Sequence, residues 1–319
     1  MDTLGRLSVD LAGKLLAVID KLCSAPAPGR RPVADLRRLR LSNQNRVRRH
    51  PRRSVRCDCS GDNARAAQGG RICRSRPAGP AAVIRMPDIT FPAPESHVPG
   101  YLAVPDGQGP WPGVVVVQDV LGMTADLRRI TDRLAASGYL AMAPALYGRR
   151  PKIKCMISTI RAHFAGRGAA YDDLVAARDH LIADERCTGK VGLVGFCMGA
   201  GFCLVLSSQG IFDASAANYG LLPQDIEPLS RSCPVVASFG AKDRIVAGGT
   251  AAKLEAVLAR GEVPRDIKEY PDVGHSFMNN WGVPGPVRII ERIARMAYSE
   301  PEAEDAWQRI LGFFREHLS

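Results

Sequence analysis

The sequence has 319 residues, 46% of them hydrophobic, which is enough for one large or two small globular domains with a real core. The net charge of +11 comes from residues 1–85, where 17 Arg and 2 Lys against 6 Asp and no Glu give +13. Residues 86–319, with 24 basic and 26 acidic side chains, carry −2 and give no reason to expect a polyanionic partner such as nucleic acid.

Residues 1–85 form an Arg-rich segment with few aromatic residues. This composition cannot bury enough apolar area to offset the entropy of ordering, so we expect a disordered tail. A nucleic-acid-binding arm is an alternative, although no folded motif accompanies the arginine pairs. Cys57, Cys59 and Cys73 lack a fourth ligand at a sensible spacing for zinc. A further alternative is that translation starts at Met86, which precedes the first strand-like segment.

From residue 86 onward, strand-like and helix-like segments alternate. The predicted strands cover residues 113–118, 139–143, 191–194, 214–219, 234–239 and 266–270. The predicted helices cover residues 124–137, 169–184, 200–208, 250–260 and 303–317, with Thr124 as the first N-cap. Continuous β-branched runs such as 113–118 are typical of strands buried on both faces. We therefore predict one α/β domain over residues 86–319, with a mostly parallel sheet between two layers of helices.

The strongest motif is the glycine-framed cysteine in Gly195-Phe196-Cys197-Met198-Gly199, between a predicted strand and a predicted helix. A nucleophile elbow needs small residues two positions before and two after the nucleophile, because its turn is tight. Such a turn places Cys197 at a helix N-terminus, which favours a thiolate, and aims the N–H of Met198 at a developing oxyanion. A buried structural cysteine is the alternative interpretation of this pentapeptide alone.

An acid and a base follow the cysteine in the order that the elbow motif requires. Asp243 and His275 each come just after a predicted strand, so both should lie at the same sheet edge as Cys197. His275 would exchange protons with Cys197, and Asp243 would fix the tautomer of His275. The other histidines compete poorly, because they lie in the tail, before the first predicted strand, in helical stretches or at the terminus: His50, His97, His163, His180 and His317.

With these motifs, residues 90–318 resemble the dienelactone hydrolase family, a cysteine branch of the α/β-hydrolases. The resemblance rests on the motifs around Cys197, Asp243 and His275, and on residues 117–122 (VQDVLG) followed by a helix and Gly138-Tyr139. It implies an α/β-hydrolase fold and a carboxylic ester or lactone hydrolase, similar to carboxymethylenebutenolidase, without metal or organic cofactor. It also implies that Val120 supplies the second oxyanion N–H.

Two positions depart from this family. Asp119 stands where members usually carry a Glu that interacts with the resting thiol and helps to form the thiolate, so we expect the same role from the shorter side chain. Asn279 stands where well-studied members have an Arg that binds the substrate carboxylate. Ser276 and Asn279 are the expected substrate-binding residues. Whether Arg149, Arg150 or Arg161 binds a carboxylate stays open, and a neutral ester or lactone is equally compatible.

The resulting prediction is a hydrolase that cleaves small ester or lactone bonds through an acyl thioester on Cys197. Acyl transfer to another acceptor by the same residues, and a binding protein that keeps the fold without turnover, are the alternatives. Nine scattered cysteines, an apolar content without a membrane-length run, and no secretory signal in residues 4–22 favour a cytoplasmic protein. We expect a small-molecule substrate and no membrane partner, and a monomer is favoured.

Overall fold

The computed structural model describes residues 83–149, 152–282 and 295–319. The predicted disordered tail lies outside these ranges except for its last three residues, and Arg150 lies outside them as well. Met86, the predicted start of the folded domain, lies inside the first strand, which already begins at Val83. No helix in the described part of the chain is long and apolar enough to cross a membrane.

An eight-stranded sheet in the order β1-β2-β4-β3-β5-β6-β7-β8 forms the centre of the fold. β1 pairs antiparallel with β2, and β2 antiparallel with β4, whereas the other five pairs are parallel. The mostly parallel sheet predicted from the sequence is therefore confirmed. The strands are β1 Val83–Pro92, β2 His97–Pro105, β3 Trp111–Val117, β4 Leu140–Pro144, β5 Cys187–Phe196, β6 Ala214–Asn218, β7 Val235–Gly240 and β8 Arg265–Tyr270.

Helices cover both faces of the sheet, as predicted. One core layer joins α1 and α6 to the sheet, and the opposite layer joins α2, α3, α4 and α5 to it. Thr124 caps the first helix by accepting the N–H of Leu127 at 3.1 Å. The helices are α1 Ala125–Ala136, α2 Lys152–Ala165, α3 Ala169–Ile182, α4 Met198–Ser207, α5 Thr250–Arg260 and α6 Glu300–His317, with a 3₁₀ helix at Glu227–Arg231.

Strand β3 illustrates why the central strands read as uninterrupted apolar runs. Val115 and Val117 pack into the layer of α2 to α5, and Val114 and Val116 pack into the layer of α1 and α6. All four side chains are fully buried, and burial of each stabilises the fold by about 1.5 to 3 kcal/mol. Because helices cover both faces of this strand, its side chains contribute to the core alone. Its carboxyl end leads into the loop that carries Asp119.

The β1–β2 hairpin is absent from the sequence-based prediction. His97, placed there before the first strand, begins β2. Pro99 and Gly100 interrupt the apolar pattern of that strand, and both residue types are uncommon inside sheets. The sequence therefore contains no continuous apolar run that would predict β2. The hairpin lies at the antiparallel edge of the sheet, far in strand order from β7 and β8.

The opposite edge is β8, a short strand in which only Tyr270 is buried. Helix α6 holds this strand through Arg309, which donates from Nε and Nη2 to the carboxylate of Asp266 at 2.9 and 2.7 Å. Arg309 Nη2 also donates to the backbone carbonyl of Asp266 at 2.7 Å. The strand matters to the site because the loop that follows it carries His275.

Candidate active site

Cys197 lies between β5 and α4 in a backbone conformation that L-residues rarely adopt, with φ 55° and ψ −118°. Its N–H donates to the carbonyl of Asn218 at 3.0 Å, which ties the turn to the end of β6. The cysteine is half-buried and its side chain stands at the N-terminus of α4. This is the geometry expected of a nucleophile elbow.

Gly195 and Gly199 are both required by close backbone approach. A Cβ on Gly195 would lie 2.4 Å from the backbone of Gly199, and a Cβ on Gly199 would lie 2.5 Å from the carbonyl oxygen of Val117. Since real side chains cannot approach a backbone so closely, larger residues at either position would displace the turn. The predicted need for small residues around the cysteine therefore has a direct structural cause.

Asp243 and His275 lie on the loops after β7 and β8 and are in contact. His275 Nδ1 donates to Asp243 Oδ2 at 2.7 Å, and both side chains are almost fully buried. The other oxygen of Asp243 accepts the N–H groups of Ile245 and Val246 at 2.7 and 3.0 Å. The carboxylate is thus held by its own loop and in turn fixes the orientation of the imidazole.

The second ring nitrogen of His275 is left for the cysteine. Nε2 is buried and has no hydrogen-bond partner among the described residues. Burial alone would lower the pKa of His275, but the negative charge of the neighbouring Cys197 and the hydrogen bond to Asp243 raise it to about 10. The thiol therefore lies close enough to act on the imidazole electrostatically, without a hydrogen bond of standard geometry. The imidazole of His275 therefore holds a proton readily beside the cysteine.

The two predicted oxyanion donors lie on different segments, Met198 at the start of α4 and Val120 in the loop after β3. Met198 is the first residue of α4, where backbone N–H groups have no acceptor within the helix. Val120 follows β3 in a turn closed by the N–H of Gly122, which donates to the carbonyl of Asp119 at 3.2 Å. The hydroxyl of Tyr147 donates to the carbonyl of Val120 at 3.1 Å and fixes this segment.

Asp119 is buried in the loop that also carries Val120. Oδ1 accepts the N–H of Leu121 at 2.7 Å, and Oδ2 accepts the indole N–H of Trp281 at 3.2 Å. Burial raises the pKa of Asp119 to about 6, although these two hydrogen bonds act in the opposite direction. The carboxyl group can therefore gain or lose a proton near neutral pH.

The predicted substrate-binding residues are both buried. Ser276 adopts φ 60° directly after the histidine. The amide of Asn279 is hydrogen-bonded at both ends, since Oδ1 accepts from the hydroxyl of Tyr219 at 2.7 Å and Nδ2 donates to Asp126 Oδ2 at 2.9 Å. Asn279 thus belongs to a network within the protein, which its position in the sequence does not reveal.

The two described arginine candidates for carboxylate binding have other surroundings. Arg149 has a side chain only 9% exposed, and it pairs with Asp173 and, at 3.4 Å, with Glu95. Arg161 is exposed on α2. Within the described ranges, no cluster of three or more His, Cys, Asp or Glu side chains could hold a metal ion.

Three residues near the site escaped the sequence-based prediction. Tyr219 is fully buried at the end of β6, and its ring packs edge-to-face with His275 at a centroid distance of 5.3 Å. Asp126 and Trp281 reach the site from α1 and from the loop after β8. Their only sequence signal is position, since Asp126 falls in the first helical turn, where acidic residues are common, and Trp281 lies six residues after His275.

Residues 98–318 match the model described as the dienelactone hydrolase family. Relatives from Synechocystis sp. and Escherichia coli, both provisionally named carboxymethylenebutenolidase, are each 27% identical, covering 72% and 74% of this chain and 96% and 92% of the relatives. A crystal structure of a provisionally named dienelactone hydrolase from Klebsiella pneumoniae is 26% identical and has a TM-score of 0.59, covering 74% of this chain and 99% of that chain.

The family match covers well over half of the chain, and it spans β2 to the end of α6. The solved relative covers 74% of the chain, which together with the sheet order confirms the predicted α/β-hydrolase fold. The chain belongs to the dienelactone hydrolase family.

Proposed function

We propose that this protein hydrolyses small carboxylic ester or lactone bonds with Cys197 as nucleophile, His275 as base and Asp243 as the residue that orients His275. The observation that carries the proposal is the buried 2.7 Å contact between His275 and Asp243 beside a cysteine in the elbow conformation. The family and the names of the relatives support the same class of reaction.

The chemistry follows from the positions of these groups. The thiolate of Cys197 attacks the carbonyl carbon, and the electron pair of the C=O bond moves to the oxygen, where the N–H groups of Met198 and Val120 stabilise it. The oxyanion collapses, the bond to the alcohol breaks, and Nε2 of His275 gives its proton to the leaving oxygen. Water, deprotonated by His275, then attacks the thioester carbonyl, and the C–S bond breaks, which releases the acid and returns Cys197 to the thiolate.

Asp119 is proposed to assist the formation of the thiolate. Its pKa of about 6 gives a carboxylate that can take up a proton in the pH range where the enzyme would work. The same side chain accepts the N–H of Leu121 and so also caps its own loop. The two roles predict different behaviour of the Asn variant.

Replacement of the nucleophile is the direct test. Cys197→Ala should abolish hydrolysis of small aryl esters and lactones while the melting temperature stays near that of the wild type, and Cys197→Ser should be weak because a hydroxyl has a far higher pKa than a thiol. Cys187→Ala is the matched control, since Cys187 is also a half-buried free thiol. Retained turnover in Cys197→Ala, or equal loss in the control, would show that the nucleophile is misassigned.

The catalytic domain is proposed to be independent of the Arg-rich segment, and to act in the cytoplasm on a small-molecule substrate. Deletion of residues 1–77 should leave esterase activity within about twofold, because the described fold begins with β1. Deletion of residues 1–92 is the contrasting variant, since it removes β1 and the fully buried Phe91. A large loss of activity or solubility in the shorter deletion would contradict the proposal.

A further inference from the structure

A chain of buried hydrogen bonds joins the loop after β8 to the first turn of α1. Oδ2 of Asp126 accepts Nδ2 of Asn279 at 2.9 Å and the N–H of Asn280 at 3.2 Å. Oδ1 accepts Nε and Nη2 of Arg129 at 3.1 and 2.6 Å. The carboxylate of Asp126 has no exposed surface, whereas Arg129 is about half exposed (47%). The chain therefore runs from the protein surface into the core.

The inner end of this chain lies against His275. Asn279 accepts the hydroxyl of Tyr219 at 2.7 Å, and the ring of Tyr219 packs edge-to-face on the imidazole. Tyr219 itself sits at φ 44°, directly after the strand next to the elbow. Its N–H donates to the carbonyl of Ser238 at 2.7 Å. Backbone and hydroxyl together fix the ring that borders the histidine.

The other end of this chain of hydrogen bonds, Asp126, belongs to the segment between β3 and α1 that also carries Val120, the proposed oxyanion donor. Asp126 lies six residues after Val120, with the Thr124 cap between them. Trp281 makes a second connection between the same two segments through its hydrogen bond to Asp119. Two buried carboxylates from the β3–α1 side thus accept donors from the loop that holds the histidine.

We propose that Asp126, Asn279 and Tyr219 form a clasp that sets the position of His275 relative to the oxyanion donor Val120, so that these three are positioning residues for the hydrolysis proposed above. Asn279, which its sequence position led us to expect in substrate binding, is assigned to this network instead, and none of the three is proposed to contact substrate. They act on the reaction through the distance and angle between the imidazole and the oxyanion site, to which rates are sensitive at the level of about 1 Å.

The composition of the clasp argues against simple packing. Burial of a carboxylate has a large desolvation cost, and apolar residues of similar volume often give equal or better stability. Four donors from Arg129, Asn279 and Asn280 satisfy Asp126 and fix one arrangement of the two segments. A directional network of this kind specifies geometry more narrowly than an apolar contact does.

The first experiment compares Asp126→Ala with Asp126→Asn. The Ala variant removes every acceptor, and we expect kcat to fall about 10- to 100-fold with KM within about threefold, because the proton donor is misplaced while the binding surface is kept. Asn keeps one oxygen for Asn279 and Asn280 and should restore kcat to within about threefold of the wild type. All assays are run at least 15 °C or so below the melting temperature of each variant.

Glu304→Ala is the matched control. It breaks the bidentate ion pair that Arg133 of α1 makes with α6 at 2.6 and 2.7 Å, and so loosens the same helix without touching the clasp. We expect unchanged kcat in this control. An unchanged kcat in Asp126→Ala, or an equal loss in Glu304→Ala, would overturn the clasp as a positioning device.

Tyr219→Phe decides the question if Asp126→Ala does not fold, because it removes one hydroxyl and keeps the ring. We expect kcat about 3- to 10-fold lower with KM unchanged, and full activity would overturn the proposal.

Alkylation of Cys197 by iodoacetamide, located by mass spectrometry, tests the clasp separately from the proposed hydrolysis. If the wild type hydrolyses no ester, the proposed function fails, yet slower alkylation of Cys197 between pH 6 and 8 in Asp126→Ala still supports the clasp, and an unchanged rate overturns it.

Discussion

Two loops each bring one buried aspartate side chain to the carboxyl edge of the sheet, and the two carboxylates differ in the hydrogen bonds that they accept. The loop after β7 gives Asp243 two backbone N–H donors on one oxygen and the imidazole of His275 on the other. The loop after β3 gives Asp119 one backbone N–H and one indole N–H. The first carboxylate is held by three donors and the second by two.

This difference shows how one residue type can serve two purposes in one site. A carboxylate whose lone pairs are occupied by fixed donors is suited to orient a partner. Burial raises the pKa of Asp119 to about 6, against the effect of its two hydrogen bonds and with a smaller contribution from the nearby carboxylate of Asp126, so this carboxyl group can exchange a proton. The surroundings of each aspartate, rather than the residue type, therefore determine which role it is suited to.

The largest expected effect comes from replacing Asp243, the aspartate that orients His275. In Asp243→Asn the oxygen would stay with the N–H groups of Ile245 and Val246, so the NH₂ would face His275 and force the wrong tautomer. We expect kcat to fall by about 10⁴-fold. Asp272→Asn is the control, since Asp272 is an exposed residue on the same edge that pairs with Lys242. Steady-state kinetics on an aryl ester checks both, and a loss below about tenfold would contradict the orienting role.

A smaller effect is expected from replacing Asp119. Asp119→Asn should lower kcat/KM by about 10- to 100-fold, and Asp119→Glu should be tolerated, if the carboxylate helps to form the thiolate. If Asp119 only caps the loop through Leu121, an amide oxygen would serve nearly as well. Alkylation of Cys197 as a function of pH, measured beside kcat/KM, distinguishes the two. An unchanged pH dependence of alkylation together with an unchanged kcat/KM in Asp119→Asn would rule out the catalytic role.

The smallest effect concerns stability. The pKa of Asp119 is raised from 3.8 to about 6, so the folded state binds this proton more tightly than the unfolded chain does. The resulting stabilisation is full below the unfolded value and is lost as pH rises through about 6. Between pH 5 and pH 7 the free energy of unfolding of the wild type, relative to Asp119→Asn, should fall by about 1 kcal/mol. Urea unfolding at several pH values measures it, and a difference that stays constant with pH would contradict the assigned pKa.

The sequence contains most of the fold and the reactive centre, for a physical reason. In a parallel sheet the carboxyl ends of the strands meet at one edge, so residues that follow β5, β7 and β8 must lie near each other. Local glycine patterns then distinguish Cys197, Asp243 and His275 from other residues of their types. The pairing of Asp243 with His275 is where the structure brings two predicted residues into contact.

The clasp could not be predicted in the same way. Asp126 reads as an ordinary acidic residue in a first helical turn, and Asn279 reads as a residue open to substrate. Their hydrogen bond joins positions 153 residues apart and depends on the register of two loops, which no local pattern encodes. The β1–β2 hairpin was missed because prolines and glycine break its apolar pattern.

The location of His275 behind an edge strand has a consequence for how the protein loses activity. β8 pairs on one side only and has one buried residue, so we expect it to open at a lower free-energy cost than the central strands. Partial opening there would carry His275 away from Cys197 while β3, β5 and β6 stay paired. Arg309, which ties Asp266 to α6, and Asp305 of α6, which accepts hydrogen bonds from Lys268 and Tyr270, oppose that motion. Under heat or denaturant, catalytic competence would therefore decay before the helical signal does, and activity would report on the edge of the sheet rather than on its centre.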